Sequence, residues 1–431
     1  MRAKKKARNE GRPGYKKTKV GWIPEEWECV RIRDVAKVIT GSTPSTKKPE
    51  YYGSKFLFVG PADLDNGKYV VDSAKKLSMT GFNICRKIPA GSTLFTCIGS
   101  TIGKVAIAGE DLATNQQINA VISNNKDTKE FLYYALLKLS PRIKSLASEQ
   151  AVPIVNKSEF SAYRIPLPPL SEQKKIAEIL SAWDRAIEQV GKLIDAKERL
   201  KKGLMQQLLT GRMRFPQFRS ANERVKTHFY DLPLDWKHPR ISEIAREVSE
   251  KNVEQIDYPV LSCCKYDGFV NSLEYFGKKV YSDDTSNYKI IKRGQFGFPS
   301  NHIEEGSIGL LNHVDAGIVS PIYTIFEMNP EKVFAPYLYA LFKTDTYQHV
   351  FRVNTNSSVD RRGSLRWQEF SKIRVPLPSL AEQTRIASVL SSCDREIELL
   401  KKKLEKLKEQ KKGLMQKLLT GEIRVKEVGS E

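Results

Sequence analysis

Residues 166–211 read PLPPLSEQKKIAEILSAWDRAIEQVGKLIDAKERLKKGLMQQLLTG, and residues 376–421 read PLPSLAEQTRIASVLSSCDREIELLKKKLEKLKEQKKGLMQKLLTG. The two stretches align without a gap at an offset of 210 residues, and a little over half of their positions are identical. A repeat of this length decides the architecture, because both stretches must fold in the same way.

Each stretch has the signals of one long helix. Prolines precede the apolar pattern and a Thr-Gly pair follows it, which is how helices commonly begin and end. Ser379 and Glu382 fit a capping box at the start of the second stretch. Apolar residues recur at steps of four and three at Ile176, Leu180, Trp183, Ile187, Val190, Ile194, Leu204 and Leu208, and again at Ile386, Leu390, Cys393, Ile397, Leu400, Leu404, Leu407, Leu414 and Leu418. This heptad seam predicts that each helix packs along its length against another helix.

The repeat also predicts how the chain is arranged. About 40 helical residues form a rod of roughly 60 Å, so each helix carries the chain away from the globular part before it. If both helices stand in the same way to their preceding domains and also pair, they must run antiparallel. We therefore expect two similar domains related by a pseudo-twofold axis, with an antiparallel coiled coil as the ruler between them.

Composition and charge indicate a nucleic-acid-binding protein. The chain has 431 residues, enough for two or more domains, and a net charge of +21 with a pI of about 9.5. Such a charge favours a polyanionic partner, nucleic acid first and an acidic membrane second. We find no apolar run of membrane-spanning length and no apolar signal core at the N-terminus. The six cysteines include no CxxC pair, so we expect reduced thiols and a cytoplasmic protein.

The chain divides into segments that follow the repeat. We predict a basic flexible arm (1–19), a first globular domain (20–165), the first helical repeat (166–211), a second globular domain (212–375), the second helical repeat (376–421) and a tail (422–431). The arm holds nine Lys and Arg against one Glu, a net charge of +8. Strand-like runs at 56–59, 93–98, 105–108 and 118–122, with a helix at 131–146, predict the α+β class for the first domain.

The second globular domain repeats the frame of the first. Trp27 matches Trp236 at an offset of 209, and Tyr134 matches Tyr339 at an offset of 205, whereas the loops between differ in length and composition. A shared scaffold with divergent loops suits two sites that read different things.

No catalytic constellation or metal site is recognisable. Gly99–Lys104 resembles a phosphate-binding loop, but it has three residues between its glycines rather than four, and Val105 follows where Ser or Thr would bind Mg²⁺. A tight turn between strands accounts better for this segment. The five histidines have no metal-ligand spacing, and no Ser/His/Asp or Cys/His signature is present. The sequence therefore favours a binding protein, with no catalytic residue, no metal ligand and no cofactor of its own.

Residues suited to DNA contacts occur in both domains. Lys and Arg hold phosphates, while Asn, Gln and Arg make bidentate contacts to base edges. Candidates in the first domain are Thr46, Lys47, Lys48, Tyr51, Lys104, Asn115, Gln116 and Gln117, and those in the second are Asn301, Arg361 and Arg362. As a set on two basic domains they favour double-stranded DNA.

The repeated PLPxLxEQxxIA and KKGLMQxLLTG motifs, together with the domain openings GWIPEEW (21–27) and DLPLDW (231–236), resemble the specificity (S) subunits of type I restriction-modification enzymes. The resemblance covers the whole chain. It implies that each globular domain is a target-recognition domain for one half of a split DNA sequence. It further implies that the helices set the spacer and dock two methyltransferase (M) subunits, one per repeat, which restriction (R) subunits then join. S-adenosylmethionine, ATP and Mg would be bound only by those partners.

The same resemblance assigns scaffold and partner-docking positions. These are Leu170, Glu172, Gln173, Ile176, Ala177, Gly203, Leu204 and Met205 in the first repeat, and Leu380, Glu382, Gln383, Ile386, Ala387, Gly413, Leu414 and Met415 in the second. The family does not fix the base-contacting residues by motif, since recognition domains diverge with their targets.

Three alternatives remain open from the sequence. A recognition subunit of a related fused restriction-methylation system would have a single polypeptide as its partner. A nuclease with an unrecognised active site would cut DNA without partners. A coiled-coil scaffold would bind nucleic acid without sequence preference, and competition with random DNA would separate it from a specific reader.

Overall fold

The computed structural model describes residues 12–65, 67–147, 153–219, 223–227, 231–355 and 364–425. Two units are distinguished: Met1–Val190 with Lys403–Glu431, and Gly191–Lys402. Each unit therefore contains part of both repeated helices, so the repeats are shared between the units.

The first unit is built from short strands and four helices that precede the long one. Its strands are β1 Tyr15–Thr18, β2 Gly21–Pro24, β3 Glu28–Arg31, β4 Ala36–Thr40, β5 Tyr52–Val59, β6 Tyr69–Val70, β7 Lys75–Leu77, β8 Thr93–Thr96, β9 Val105–Ala108, β10 Ala113–Thr114, β11 Ile118–Ser123 and β12 Arg164–Leu167. Its helices are α1 Ile32–Val35, α2 Met79–Ile84, α3 Lys129–Ala147, α4 Lys157–Ala162 and the first part of α5 Leu170–Leu208.

A five-stranded sheet forms the centre of this unit, in the order β4-β11-β8-β9-β6. β11 is antiparallel to both β4 and β8, and Ile118 pairs with Thr96. The strands β8 and β9 are buried at every residue, as expected of strands covered on both faces. The core cluster joins Phe95 and Tyr134 to Ile176 and Leu180 of α5, all with no more than 1% of their surface exposed.

The second unit has the remaining elements. Its strands are β13 Arg224–Lys226, β14 Asp231–Pro233, β15 Ala245–Val248, β16 Leu261–Cys264, β17 Gly268–Asn271, β18 Lys289–Lys292, β19 Phe296–Pro299, β20 Gly309–Leu310, β21 Ala316–Val319 and β22 Tyr323–Met328. Its helices are α6 Ser272–Phe276, α7 Ala335–Phe342, α8 Asp345–Asn354, α9 Trp367–Phe370 and the first part of α10 Leu380–Leu418.

The central sheet of the second unit repeats that of the first. Its order is β15-β22-β19-β20, with antiparallel neighbours throughout, which corresponds to β4-β11-β8-β9. The core is aromatic, and the ring of Phe370 lies 4.8 Å from that of Phe298 and 5.0 Å from that of Phe326, measured between centroids. The predicted α+β class with two similar domains is confirmed.

The predicted long helices are also confirmed, since α5 and α10 each have 39 residues and begin directly after the proline-rich segments. In the second unit, Lys197 of α5 pairs with Glu396 of α10 and Lys201 pairs with Asp394, so the two segments run in opposite directions. In the first unit, Asp184 pairs with Lys411. Antiparallel contact therefore holds inside each unit, while the continuous coiled coil and the pseudo-twofold axis stay predictions.

The structure describes part of each terminal segment. Residues Tyr15–Thr18 lie in the segment predicted as a flexible arm, yet they form β1, which pairs with β2. The Tyr15 hydroxyl also donates a hydrogen bond to the carbonyl oxygen of Gly421 (2.7 Å). In the predicted tail, Arg424 pairs with Glu172. Residues 1–11 and 426–431 lie outside the described part of the chain.

Within the described residues, no helix combines the length and apolar character needed to cross a membrane. All six cysteines are free. The sulfur atom of Cys97 accepts a hydrogen bond from the Asn119 side chain at 3.1 Å, and burial raises the pKa of this thiol to about 12. Burial likewise raises the pKa of Cys263 to about 12.

Candidate nucleic-acid interface

In both central sheets, two neighbouring strands have loops that lie side by side at the same edge of the sheet. In the first unit, β8 leads into the loop 97–104 while β11 is entered from residues 115–117, and the pairing of Thr96 with Ile118 places these loops side by side. In the second unit, the pairing of Pro299 with Tyr323 does the same for the loops 300–308 and 320–322. We call these the sheet-edge loops. The loop after β8 is a turn between strands, as predicted.

The amide side chains of the first unit lie at this edge. The Thr43 hydroxyl donates to Oε1 of Gln116 (2.5 Å), and the Asn115 side chain donates to Oε1 of Gln117 (2.9 Å). Gln116 is exposed, whereas Asn115 and Gln117 are half-buried. The three residues are therefore brought together, and Gln116 has the most open position for contact with a base edge.

A basic loop is tethered to the same place. The backbone N–H of Ser42 donates to the Thr114 carbonyl oxygen (2.9 Å), and a Cβ added to Gly41 would lie 2.1 Å from the Asn115 carbonyl oxygen, so the two backbones touch. Further along this loop, Thr46, Lys47 and Lys48 are exposed.

Tyr51 organises the end of that loop. The Lys48 ammonium donates to the Tyr51 hydroxyl (3.3 Å) and lies 5.3 Å from the ring centroid. This hydrogen bond raises the pKa of Lys48, so the group stays charged. The structure thus brings Thr46, Lys47, Lys48 and Tyr51 into one exposed segment beside the sheet-edge loops.

Lys104 is held inside the unit. Its ammonium pairs with Asp65 and also donates to the Pro61 carbonyl oxygen (3.2 Å). A phosphate contact by Lys104 would require it to leave Asp65. The sequence could not show this, because the two residues are 39 positions apart.

Asn301 lies at the matching edge of the second unit. It is half-buried in the loop 300–308, and its Oδ1 atom is buried without a hydrogen-bond partner in the described structure. The backbone N–H of Leu365 donates to the Ser300 carbonyl oxygen (2.8 Å), which brings the chain after residue 363 to this edge. Arg361 and Arg362 lie outside the described residues.

The same loop contains one group of metal-ligand type that sequence spacing did not indicate. His302, Glu304 and Glu305 each offer an atom, and these atoms lie within 4.8 Å of one another. Nδ1 of His302 is 3.5 Å from a carboxylate oxygen of Glu305. A three-residue 3₁₀ turn, 303–305, places the two glutamates beside the histidine. Exposed acidic groups often lie close together without binding an ion, and we assign no function to this group.

Two half-buried lysines lie at matching positions of the two units. Lys343 donates to the carbonyl oxygens of Lys265 (2.8 Å) and Gly306 (3.0 Å), and burial lowers its pKa. Lys138 of α3 is its counterpart at the offset of 205, and burial lowers the pKa of Lys138 to about 8. Neither lysine was identified as notable from the sequence.

Half of the scaffold or docking positions are buried. Glu172, Gln173, Ile176, Glu382, Gln383 and Ile386 each expose 5% or less of their surface. The side-chain amides of Gln173 and Gln383 donate to the carbonyl oxygens of Pro168 (2.7 Å) and Pro378 (2.9 Å). These six side chains therefore support the chain's own fold rather than offering a surface. Leu170 and Leu380, by contrast, are about 40% exposed.

The glutamates form a buried cluster that occurs twice. In the first unit, the Trp27 indole N–H donates to Glu172 (2.9 Å), and the Arg424 guanidinium donates to both oxygens of the same carboxylate (2.9 and 3.0 Å).

In the second unit, Trp236 donates to Glu382 (3.2 Å), and Arg214 donates to both of its oxygens (2.9 and 2.8 Å). The predicted capping box is therefore only half formed: the Glu382 backbone N–H donates to the Ser379 hydroxyl (3.3 Å), while the Glu382 carboxylate binds Trp236 and Arg214. We call the two groups the Trp-Glu-Arg clusters.

The repeated KKGLMQ segments keep an accessible side. Leu204 and Leu414 are half-buried, and Gly203 and Gly413 have no atom of the described structure within 4 Å of where a Cβ would stand. In the second unit, a groove of about 520 Å³ lies beside this segment, lined by Lys202, Met205 and Leu209 together with Leu341 and Lys343. These positions, unlike the buried glutamates, remain available to a partner.

Comparison with known proteins adds a family to this geometry. The family model described as the type I restriction modification DNA specificity domain matches the chain twice, at residues 24–198 and 233–409. Each match runs from the start of one globular domain into the long helix that follows it.

Two relatives from Methanocaldococcus jannaschii match over nearly the whole chain. The type I restriction enzyme MjaVIII specificity subunit is 28% identical and covers 94% of each chain. The putative type I restriction enzyme MjaX specificity subunit is also 28% identical, over 96% of this chain and 97% of its own length. In Haemophilus influenzae, the HindI specificity subunit is 34% identical over 36% of each chain.

Solved structures share the fold. The crystal structure of the S subunit of a type I restriction-modification system from M. genitalium matches with a TM-score of 0.54 at 18% identity, over 91% of this chain and 96% of that one. A chain solved for the complex assembly and conformational transition of the type I R-M system matches with a TM-score of 0.53 at 17% identity, over 93% and 99%.

Proposed function

The chain belongs to the family of type I restriction-modification DNA specificity subunits, which are non-catalytic, and we propose that it reads a two-part DNA target with one unit per half-site. In this proposal the sheet-edge loops of each unit enter the DNA, and basic residues around them hold phosphates. The main observation in support is that both units contain the same sheet, while the loops at the matching edge differ between the units. A common frame fixes where reading takes place, and different loops allow different bases to be read.

We further propose that the long helices serve as spacer and dock. Two matching helices allow two copies of a methyltransferase subunit to bind in the same way, one beside each KKGLMQ segment, and restriction subunits join that assembly. S-adenosylmethionine, ATP and Mg would be bound by those partners in the cytoplasm, and this chain would recognise the DNA sequence.

The half-sites would then lie about one turn of DNA apart. Recognition elements that read the same side of the duplex repeat at roughly 34 Å, which is within the reach of a 39-residue helix of roughly 60 Å. The proposed target is therefore two short sequences separated by a spacer that the protein does not read.

Co-expression with a type I methyltransferase subunit that co-purifies with this chain tests this function. Single-molecule sequencing of the host DNA should show modified adenines within a two-part motif of constant spacer length. One continuous short motif would contradict the proposal, as would unmodified DNA when a complex has formed.

A binding measurement separates specific reading from general affinity for DNA. Affinity for the motif should fall steeply as salt rises, because phosphate contacts release counterions. An excess of random DNA should not displace the motif from the complex. Equal competition by random DNA would favour the scaffold alternative instead.

A further inference from the structure

An exposed tyrosine stands at the tip of a hairpin in the second unit. β16 and β17 pair in antiparallel fashion, and the turn between them carries Lys265, Tyr266 and Asp267. Tyr266 is 82% exposed, the highest value among the large hydrophobic side chains of the described residues. No sequence pattern marks this turn as functional, and it has no part in the proposed function.

The hairpin that carries this ring is firmly anchored. The backbone N–H of Cys263 donates to the Tyr323 hydroxyl (2.9 Å), and Phe269 is 4% exposed beneath the strands. At the turn, Gly268 has a φ of +69°, and a Cβ there would lie 2.8 Å from the Tyr339 hydroxyl, so only glycine fits. The ring therefore projects from a fixed base rather than from a loose loop.

Lys343 attaches the turn to the candidate interface. Its ammonium donates at once to the carbonyl oxygen of Lys265 and to that of Gly306, at 2.8 and 3.0 Å. Gly306 belongs to the sheet-edge loop 300–308. The hairpin tip is thus a direct extension of the edge proposed to read the second half-site.

The surroundings of the ring combine flat apolar faces with positive charge. The Lys265 ammonium lies 5.4 Å from the Tyr266 ring centroid. Tyr275 of α6 is 52% exposed, and its ring lies 5.1 Å from that of Phe276. Lys278 follows and is exposed. An exposed aromatic ring beside lysine ammonium groups suits a DNA groove, where base edges lie next to phosphates.

We propose that Tyr266 packs its ring against a base edge in the groove of the half-site read by the second unit, with Lys265 on the neighbouring phosphate. The inference rests on the proposed function, since it names a contact within the same interface. The first unit builds β5, β7 and α2 between β4 and β8, where the second unit builds this hairpin and α6. The tyrosine contact therefore serves one half-site only, which makes its effect separable.

The experiment uses the full chain co-purified with its methyltransferase, on DNA that carries the motif found by sequencing. Tyr266→Ala should weaken binding about tenfold, within the range that one specific contact to a base edge contributes. Tyr266→Phe keeps the ring and should stay within about twofold of the wild type. Lys265→Ala should lower the slope of log affinity against log salt by about one. Val71→Ala, which removes a 72% exposed side chain from the first unit, is the matched control.

Footprinting locates the effect. With Tyr266→Ala, protection should weaken across one half-site and persist across the other. Wild-type affinity and an unchanged footprint for Tyr266→Ala would overturn the inference, as would equal losses for Tyr266→Phe and Tyr266→Ala. A wild-type complex without a two-part motif would instead contradict the proposed function, so the two failures are distinguishable.

Discussion

Glu172 and Glu382 occupy the same position in the two repeats, but their guanidinium partners differ in exposure. The Arg214 side chain beside Glu382 is 7% exposed, whereas the Arg424 side chain beside Glu172 is 35% exposed. A buried arginine that loses one of its carboxylate partners cannot replace it with water, while a half-exposed one can. The two clusters have the same chemistry and should differ in what they contribute to stability.

Glu382→Gln should destabilise the chain by about 3 kcal/mol, since a neutral amide of the same shape leaves Arg214 with Asp235 alone. Glu172→Gln is the matched control and should have the smaller effect, because solvent reaches Arg424. Thermal unfolding of the two variants and the wild type measures the difference. Equal shifts in Tm would show that burial does not set the contribution of these pairs.

Lys138 provides a residue-scale prediction that depends on pH. Burial lowers its pKa from 10.5 to about 8, so the unfolded chain binds more protons than the folded chain between these two values. Stability should therefore rise as the pH increases from about 8 to 10.5, where Lys138 becomes neutral in both states.

Lys138→Met should remove that dependence and stabilise the chain at pH 7. The difference between 10.5 and about 8 corresponds to about 3 kcal/mol at about 1.4 kcal/mol per pKa unit, and the partial exposure of the side chain to solvent reduces the expected gain to about 2 kcal/mol. Lys144→Met, on the exposed side of the same helix, should change little. Melting curves at pH 7 and pH 10 provide the test. A variant less stable than the wild type at pH 7 would mean that the Lys138 charge is compensated.

At the scale of elements, the sequence predicted what local patterns determine. The heptad seam and the flanking Pro and Gly are properties of the helix itself, so α5 and α10 appeared within a few residues of their predicted ends. The Trp-Glu-Arg clusters could not be predicted from such local patterns. Glu172 and Arg424 are 252 positions apart and meet only through the fold.

The candidate interface was predictable in part for the same reason. Polar amides in the segment before β11 indicated Asn115, Gln116 and Gln117, and the structure places them together. Tyr266 could not be found in this way, because a Lys-Tyr-Asp-Gly turn in a sequence does not reveal how far its ring projects. Pairing of Lys104 with Asp65 was equally hidden.

The helical glycines give an element-scale prediction. Gly203 and Gly413 recur at the same position of the repeat, whereas Gly191 matches a lysine, Lys401. A Cβ at any of the three glycines meets no described atom within 4 Å. Replacement by alanine should therefore stabilise the free chain by about 0.5 to 1 kcal/mol at each position, since glycine is the poorer helix former.

A contribution of Gly203 and Gly413 to partner binding would be visible in assembly with the methyltransferase subunit. If the open glycines admit close approach of a methyltransferase helix, Gly203→Ala and Gly413→Ala should weaken co-purification of that subunit, while Gly191→Ala should not. Gly421→Ala is the opposite control, because its φ is +70° and a Cβ would lie 2.4 Å from Cγ of Pro24, so this variant should be destabilised. Unimpaired assembly of all three helical variants would rule out close packing at these glycines.

At the scale of the whole molecule, the two long helices are coupled through pairs inside each unit. Asp184 pairs with Lys411 in the first unit and Asp394 with Lys201 in the second, and these are the same two positions of the repeat. An insertion in only one helix would move residues along the axis of that helix, away from their ion-pair partners on the other helix. The spacer can therefore be altered cleanly only if both helices change together.

An insertion of four residues after Val190 in α5, matched by four after Lys402 in α10, meets that condition, because both points lie at the boundaries between the units. All pairs within each unit are retained. One added turn contributes about 5.4 Å, and a base pair of DNA occupies about 3.4 Å, so the spacer should lengthen by one or two base pairs while both half-site sequences stay the same.

Insertion in α5 alone should lower the Tm and reduce methylation, since the pairs on the two helices can no longer be satisfied at once. Sequencing of the modified adenines reads spacer and half-sites in one experiment. A matched insertion that leaves the spacer unchanged would show that the helices do not set the distance between the half-sites.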